Sequence, residues 1–352
     1  MTTTNGHHQT HIYIGIAGEG DAIGQGGMLR RALGDSEWQS ISNGLPANPQ
    51  VRALAIRPDD PSVIFAGTQD GPYRSDDRGE SWRALDAPKA DVWSLAFSPA
   101  DPDTLYAGYE PCAIARSQDG GDTWQTMDTS RVQYPDVTTY MPPLAKRVIG
   151  LCADPSEPDD VYGAIEVGGL IASRDGGASW DSLTDGLYRD NHTVDLHGVQ
   201  VSAAAPGTVF IIAQVAMFRS RNKGRNWEHI RFGEMFPGGS YCRGLLVSPD
   251  DPRTIYLAAG AGGGGAPSGT QEAGALFRSD DAGEVWQRLD IGDEPPGRMF
   301  QVAIDPRAPD NVFCVTNYGH FFASADGGDS WISEKIPLDL QRGYHVYPMV
   351  SG

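Results

Sequence analysis

An eight-residue motif that recurs along the chain limits the fold more than any other feature of the sequence. We call it the octet: it reads SDDRGESW at 75–82. Further copies occupy 117–124, 173–180, 220–227, 279–286 and 324–331, and a shortened form ends at Trp38. The closing tryptophans are Trp38, Trp82, Trp124, Trp180, Trp227, Trp286 and Trp331, spaced 42 to 59 residues apart. This spacing predicts seven similar units of about four short strands each.

A second motif keeps step with the octet. At 51–68, 92–109, 243–260 and 300–316, an alternating apolar strand is followed by a proline-containing turn and a second strand rich in β-branched and aromatic residues. Each unit therefore reads strand A, proline turn, strand B, loop, strand C, octet, strand D. We expect the octet to be a hairpin turn whose serine and aspartate bond to backbone amides, with a glycine at positive φ.

The octet pattern Ser-x-Asp-x-Gly-x-x-Trp resembles the Asp-box, or BNR, repeat of β-propellers such as sialidases, sortilin-type ectodomains, xyloglucanases and photosystem II assembly factors. Five of the six full copies keep all four residues, and the sixth has Asn222 at the aspartate position. The resemblance implies an all-β, seven-bladed propeller of four-stranded antiparallel blades. Because enzymes and non-enzymes share the repeat, it does not define an activity.

The two ends of the chain predict how the ring closes. The first unit lacks strand A, and one unmatched strand, YHVYPMV at 344–350, remains at the other end. We expect this C-terminal strand to complete the first blade, which removes an open sheet edge. The predicted organisation is a disordered leader at 1–10 and a single propeller over 11–352.

Charge and composition exclude several classes of partner. The formal net charge of −19 opposes nucleic acids and anionic membranes, and there is no apolar run long enough to span a membrane. The beginning of the chain lacks a secretory pattern, and the four cysteines are widely spaced, as expected for reduced thiols. These features favour a cytoplasmic protein, and no cofactor is predicted.

The order of strands divides the loops between two faces. The proline turns and the octets share one face, which we call the bottom. The loops from D to A and from B to C share the top, and these vary most in length, notably at 126–147 and 260–274. Variable loops on a rigid scaffold favour a binding site at the top.

Counting back from the first proline of each turn, or from its equivalent Ala203 in the unit where Pro206 holds the second position, places candidate residues at the top mouth of the central channel. Six residues back lie Arg52, Trp93, Ile149, His197, Arg243 and Phe300, and eight residues back lie Gln50, Asp91, Arg147, Asp195, Tyr241 and Arg298. His345 joins them if the C-terminal strand has a similar register. The loops from B to C add Glu110, Glu166, Tyr318 and His320.

The leading functional hypothesis is an enzyme, a lyase, hydrolase or isomerase acting on a small anionic metabolite. Guanidinium groups suit carboxylate or phosphate, and a histidine beside carboxylates suits proton transfer. The substrate-binding candidates are Arg52, Arg147, Arg243, Arg298, Trp93, Tyr241, Asp195 and Tyr318. The catalytic candidates are His197, His345, His320, Glu110 and Glu166. Alternatively, the arginines pair with Asp91, Asp195 and the acidic top loops.

Three other hypotheses stay open. His197, His320 and His345 could converge on a divalent metal. A non-catalytic scaffold or assembly factor would bind a protein or peptide partner, as some proteins with this repeat do. A glycosidase-like hydrolase is the remaining alternative; the Phe/Tyr-Arg-Ile-Pro element of sialidases is missing here, and xyloglucanases pair two propellers whereas this chain has one.

Overall fold

The regular secondary structure of the described residues consists almost entirely of short antiparallel strands. This computed structural model describes every residue except 1–8, 19–25, 137–140, 185, 188–191, 231–235, 237–239, 262–272, 293, 339 and 341–343. In chain order the strands are β1 (His11–Gly18), β2 (Gly27–Ala32), β3 (Gln39–Ser40), β4 (Ala53–Ile56), β5 (Ile64–Thr68), β6 (Gly71–Ser75), β7 (Arg83–Ala84), β8 (Asp91–Ser98), β9 (Asp101–Glu110), β10 (Ala113–Ser117), β11 (Gln125–Thr126), β12 (Arg147–Ala153), β13 (Val161–Glu166), β14 (Gly169–Ser173), β15 (Asp181–Ser182), β16 (Leu196–Val201), β17 (Val209–Ala213), β18 (Met217–Ser220), β19 (Glu228–Ile230), β20 (Tyr241–Val247), β21 (Ile255–Gly260), β22 (Gly274–Ser279), β23 (Gln287–Arg288), β24 (Met299–Asp305), β25 (Ala308–Thr316), β26 (His320–Ser324), β27 (Ile332–Lys335) and β28 (Tyr344–Ser351). A turn of 3-10 helix, Pro143–Ala145, precedes β12.

These strands form seven four-stranded sheets, the blades of a propeller. From the innermost strand outwards, blade 1 consists of β28, β1, β2 and β3, and blades 2 to 7 take the remaining strands in chain order. The seven innermost strands contact one another in a closed ring. The predicted fold is confirmed, including its closure by the C-terminal strand. In the described part of the chain, no helix combines the length and apolarity that a membrane crossing requires.

The octets are hairpin turns between the third and fourth strands of each blade. In the copy at 117–124, the Ser117 hydroxyl accepts a bond from Gly121 N at 2.8 Å, and Asp119 accepts one from Thr123 N at 2.8 Å. Gly121 has φ +94°, and a Cβ there would lie 2.7 Å from Phe65. The Gly120 amide bonds to Asp103 O in the proline turn of the same blade, so the two kinds of turn share the bottom face as predicted.

Arginines next to the octets join each blade to the following one, a feature that the sequence analysis missed. Each guanidinium donates to a backbone carbonyl in the octet of the next blade; the six arginines are Arg30, Arg74, Arg116, Arg174, Arg219 and Arg278. Between blades 7 and 1 the contact is different, because Arg31 and Trp38 both donate to Glu334. Together with the pairing of β1 and β28, these contacts close the ring.

A β-bulge interrupts the innermost strand of six blades. In blades 3 to 7 the pairing register shifts around one residue that has no partner opposite it; these residues are Trp93, Ile149, His197, Arg243 and Phe300. In blade 1, Tyr347 and Pro348 of β28 oppose the single residue Gly15 of β1. A bulge re-aims the side chain of its extra residue. The regular alternation of side chains along a strand did not predict these bulges. In blades 3 to 7 they nevertheless occur at the positions counted six residues back from the turns.

The ends and top loops are described only in part. Thr10 is buried and its hydroxyl donates to Asp305, so the ordered chain includes this last residue of the predicted leader. Residues 1–8 lie outside the described residues, as do 262–272 of the predicted glycine-rich binding loop. All four cysteines are free thiols.

Candidate functional site

Seven residues, one from each innermost strand or its start, surround the top of the central channel. We call them the channel ring: Arg52, Trp93, Ile149, His197, Arg243, Phe300 and Tyr347. Below them lies an apolar ring made of Leu54, Leu95, Leu151, Val199, Leu245, Val302 and Met349. The cavity measures about 250 Å³ and is lined by both rings, with Phe300 packed beside Arg243. Ionisable groups are therefore concentrated at the mouth, above an apolar channel.

Aromatic side chains connect most of the mouth. Trp93 meets Tyr347 edge-on with ring centroids 5.5 Å apart, and Tyr241 stacks with Phe300 at 6.2 Å. His197 lies 4.9 Å from Tyr241 on the other side. Such rings supply apolar contact area together with faces that attract cations. The site therefore offers flat surfaces to a ligand as well as charges.

Two of the four predicted arginines form ion pairs and lie against the Trp93 ring. Arg52 lies 4.8 Å from the ring and its Nη1 is 3.5 Å from Asp91, whereas Arg147 lies 3.9 Å from the ring and binds Glu166 and Glu110. Burial raises the pKa of Asp91, and the two arginines oppose that rise. The structural alternative is thus correct for this half of the mouth, since these arginines already have carboxylate partners.

Arg243, unlike these two, makes no ion pair among the described residues, although Arg52 also has buried atoms, Nε and Nη1, without a hydrogen-bond partner there. Arg243 is 7% exposed, its guanidinium lies 5.3 Å from the Phe300 ring and 5.6 Å from the Tyr347 ring, and its Nη1 atom has no hydrogen-bond partner among the described residues. Arg298 lies over Tyr241 at 4.7 Å and donates to Ala261 O. A guanidinium stays charged in a protein, and a buried donor without an acceptor is costly. Arg243 therefore has unused capacity for an anion.

Asp195 and His197 lie next to each other at the edge of this cavity. Their nearest atoms, Asp195 Oδ1 and His197 Nε2, are 3.8 Å apart, and the side chains are 6% and 1% exposed. Burial raises the pKa of Asp195, against the pull of Arg243. Burial, followed by the nearby Arg243, lowers the pKa of His197 well below its usual range. The predicted pair is therefore close but too far apart for a direct hydrogen bond, and His197 is neutral.

The three histidines proposed for metal binding do not come together. His197, Asp195 and Glu166 each place one donor atom within 4.8 Å of the others, and this group contains neither His320 nor His345. His320 begins β26 and is paired across the sheet with Lys335 of the outermost strand, away from the channel lining. Burial and Lys335 lower the pKa of His320. A metal held by all three histidines is therefore ruled out by their positions.

The C-terminal strand places His345 two residues before its bulge, in the layer counted eight residues back from the turns, and not at the place of this strand in the channel ring. Tyr347 occupies that place, while His345 packs at 5.6 Å from Phe300 and 5.9 Å from Tyr318. Tyr347 was missed because no turn proline follows this strand. Lys146 was missed as well: it is fully buried and donates to Val167 O, and no periodic pattern marks it.

Comparisons with known proteins agree with the propeller fold. The chain is 23% identical over 304 residues to a probable oligoxyloglucan-reducing end-specific xyloglucanase of Neosartorya fischeri, covering 70% of this chain and 35% of that protein. It is 24% identical over 325 residues to the photosystem II assembly lipoprotein Ycf48 of a Synechococcus species, covering 81% and 87%. No family model matches the chain.

Solved structures give the same result. The GH74 xyloglucanase from Xanthomonas campestris superposes with a TM-score of 0.61 at 20% identity, covering 84% of this chain and 46% of that one. A structure of YCF48 bound to D1 peptide superposes with a TM-score of 0.54 at 16% identity, covering 89% and 87%. The chain spans only 19% and 35% of two xyloglucanases that it matches. It is a seven-bladed β-propeller with homology to GH74 xyloglucanases and Ycf48 propellers.

Proposed function

We propose that this propeller binds a small carboxylate-bearing ligand in the top mouth of its channel, with Arg243 as the main anchor. The observation that carries the proposal is the buried guanidinium of Arg243, whose Nη1 has no acceptor in the described part of the structure. A carboxylate would satisfy this donor and neutralise the charge in a site shielded from water. The cavity of about 250 Å³ suits a small molecule.

Acid-base catalysis on such a ligand is the enzymatic form of this proposal. Neutral His197 offers an unprotonated Nε2 beside Asp195, and both face the same cavity region as Arg243. A neutral imidazole can accept a proton from a bound substrate. Glu110 and Glu166 are less suited to that role, because Arg147 engages both of them.

A panel of small carboxylates and their amides tests the anchor. We expect carboxylates, but not the matching amides, to raise the melting temperature and to give calorimetric binding curves with the wild type. In Arg243→Gln the affinity should fall at least tenfold, since one charged hydrogen bond is worth about 1.5–3 kcal/mol. The control is Arg253→Gln, which alters an exposed arginine paired with Asp251 on the bottom face. Equal affinity of wild type and Arg243→Gln would overturn the proposal.

A peptide partner is the second candidate, and the comparisons are what favour it. One similar structure is of YCF48 bound to D1 peptide, and the match to Ycf48 covers most of both chains. In this case the carboxylate at Arg243 would be the end of a chain or an acidic side chain. Peptides of increasing length separate the two candidates, because only the peptide function predicts that affinity grows with length. Comparing peptides that have a free C-terminus with their amidated forms tests whether the terminal carboxylate is the group bound at Arg243.

A glycosidase function receives less support from the geometry. Glycosidases usually place two carboxyl groups either about 5 Å apart or about 6.5–9.5 Å apart across the scissile bond. Here Glu166 and Asp195 have donor atoms within 4.8 Å of each other, near the shorter of these spacings, but Glu166 is bound to Arg147 and Asp195 is almost completely buried. The xyloglucanases that the chain matches are also several times longer than the matched region.

A further inference from the structure

Two buried hydrogen-bond acceptors, from Asp195 and His197, lie close together at one corner of the channel mouth. The His197 Nδ1 atom lies 2.7 Å from the carbonyl oxygen of Cys242 and therefore donates its proton there. Because His197 is neutral, its other nitrogen, Nε2, is an acceptor. Asp195 Oδ1 lies 3.8 Å from that nitrogen and has no hydrogen-bond partner among the residues described. Two buried acceptors thus face each other across a gap.

No hydrogen bond from the described residues reaches Asp195 Oδ1 in this gap. Buried polar atoms are satisfied in nearly all proteins, and an unsatisfied one commonly marks a position completed by a ligand or by water. The Asp195 carboxyl does have a backbone partner, the Val167 amide, so the group is held in position while Oδ1 stays open. The corner is therefore preorganised to accept a hydrogen bond.

The electrostatic surroundings decide what kind of donor fits. Arg243, Arg147, Lys146 and His192 interact electrostatically with Asp195. Arg243, Arg147 and Arg298 interact electrostatically with His197. Positive charge on this scale disfavours a metal cation at Glu166, Asp195 and His197, and it disfavours an ammonium group as well. A hydroxyl is a donor without charge, so it can donate its proton to one of these acceptors without this penalty.

We propose that the ligand of this site is a hydroxylated carboxylic acid, with its carboxylate on Arg243 and a hydroxyl that donates its one proton to Asp195, with His197 Nε2 beside it as the second acceptor. The inference rests on the proposed function, since it assigns the second group of the same ligand. One buried donor on blade 6 and two buried acceptors on blade 5 line or border the same cavity mouth. The site then recognises both ends of a short polar molecule.

Matched acids with one carbon skeleton test this assignment. We would measure binding by calorimetry for malate, oxaloacetate, succinate and aspartate, and for lactate, pyruvate, propionate and alanine, at pH 8 with a chelator present. In the wild type, each hydroxy acid should bind at least tenfold more tightly than its deoxy, keto and amino counterparts. In Asp195→Asn, whose amide can donate, the preference over the keto acid should fall below threefold.

The controls separate this inference from the function on which it rests. Asp251→Asn, an exposed carboxylate on the bottom face, should keep the tenfold preference. Binding of all the acids alike, lost in Arg243→Gln, would overturn the hydroxyl assignment and leave the carboxylate anchor in place. Failure of every acid to bind would overturn both. Tighter binding of the amino acids than of the hydroxy acids would also overturn the hydroxyl assignment. So would a preference for the hydroxy acids that is seen only when Mg²⁺ or Zn²⁺ replaces the chelator.

Discussion

Asp195 shows how a single residue can be placed for binding at the expense of stability. Its carboxyl is almost completely buried, one oxygen has no partner among the described residues, and burial raises its pKa. An acid whose pKa is raised in the folded state contributes stability below its unfolded pKa. That contribution is lost as the pH rises through the folded pKa. Asp195 therefore weakens the folded state at neutral and alkaline pH.

We predict that Asp195→Asn is more stable than the wild type at pH 8, by about 1 kcal/mol or more, since one unit of pKa corresponds to about 1.4 kcal/mol. The asparagine oxygen can still accept the Val167 amide bond. The gain should shrink as the pH falls toward 4, which urea denaturation at several pH values would reveal. Asp251→Asn should show no gain, because Arg253 lowers the pKa of Asp251. A variant less stable than the wild type at pH 8 would contradict the argument.

At this scale, the sequence predicted which residues meet but not how they pair. The count from the turns placed Arg52, Trp93, His197 and Arg243 in one ring because each of them lies six residues before the turn that follows its strand. It could not tell that Arg147 is occupied by two glutamates while Arg243 has an open Nη1, since both are arginines in equivalent strands. Such pairing depends on side chains from neighbouring blades.

Among the elements, the octet turn is the one whose chemistry could be predicted most fully. Its serine is buried, accepts bonds from two backbone amides and donates to the aspartate. Hydrogen bonds from the Thr123 hydroxyl and amide, together with the one from the Ser117 hydroxyl, lower the pKa of Asp119 to about 2. The aspartate is thus kept charged and directed into its own turn, where it serves the fold rather than catalysis.

We predict that Ser117→Ala costs about 1–3 kcal/mol of folding free energy, because it leaves the buried Gly121 amide without an acceptor. Thr123→Ala removes a hydroxyl from the exposed side of the same turn and should cost clearly less. Guanidinium denaturation curves for both variants would provide the comparison. Equal losses would mean that burial of the acceptor is not what matters in this turn.

The arginines that join neighbouring blades were not predicted, although the sequence contains a hint of them. Five of the six lie directly beside the serine of an octet, as in Arg116 and Ser117. Periodicity within a repeat shows the strands of one blade, but it cannot show that a side chain reaches a carbonyl in the next. That information becomes visible only when the ring is closed.

For the whole molecule, stability depends on the pairing of β1 with β28. We predict that removal of residues 344–352 leaves β1 as an open edge and removes Tyr347 from the channel ring. Exposed edges pair with other chains, so the shortened protein should form dimers or aggregates and melt at a lower temperature. Size-exclusion chromatography with light scattering would measure this. A monomer with an unchanged melting temperature would show that closure is dispensable.

The net charge of the protein should also affect the rate at which an anionic ligand binds. A protein with a net charge of −19 repels an anion at long range even when the mouth attracts it at short range. We predict that the association rate of a carboxylate rises several-fold between about 10 and 150 mM salt, as the screening length falls from about 30 to 8 Å. Stopped-flow measurements in two salts with different anions would separate screening from competition at Arg243. A rate that falls in both salts would contradict this expectation.

The bulges have a further consequence for how such a protein can change. Because each extra residue stands outside the regular pairing of its strand, its identity is largely uncoupled from the hydrogen bonds that hold the blade. Recognition and architecture are thus encoded at separate positions. A library that varies Trp93, Ile149, His197, Arg243 and Phe300 together should yield many folded members with new specificities, which would make this propeller a starting scaffold for engineered receptors of small molecules.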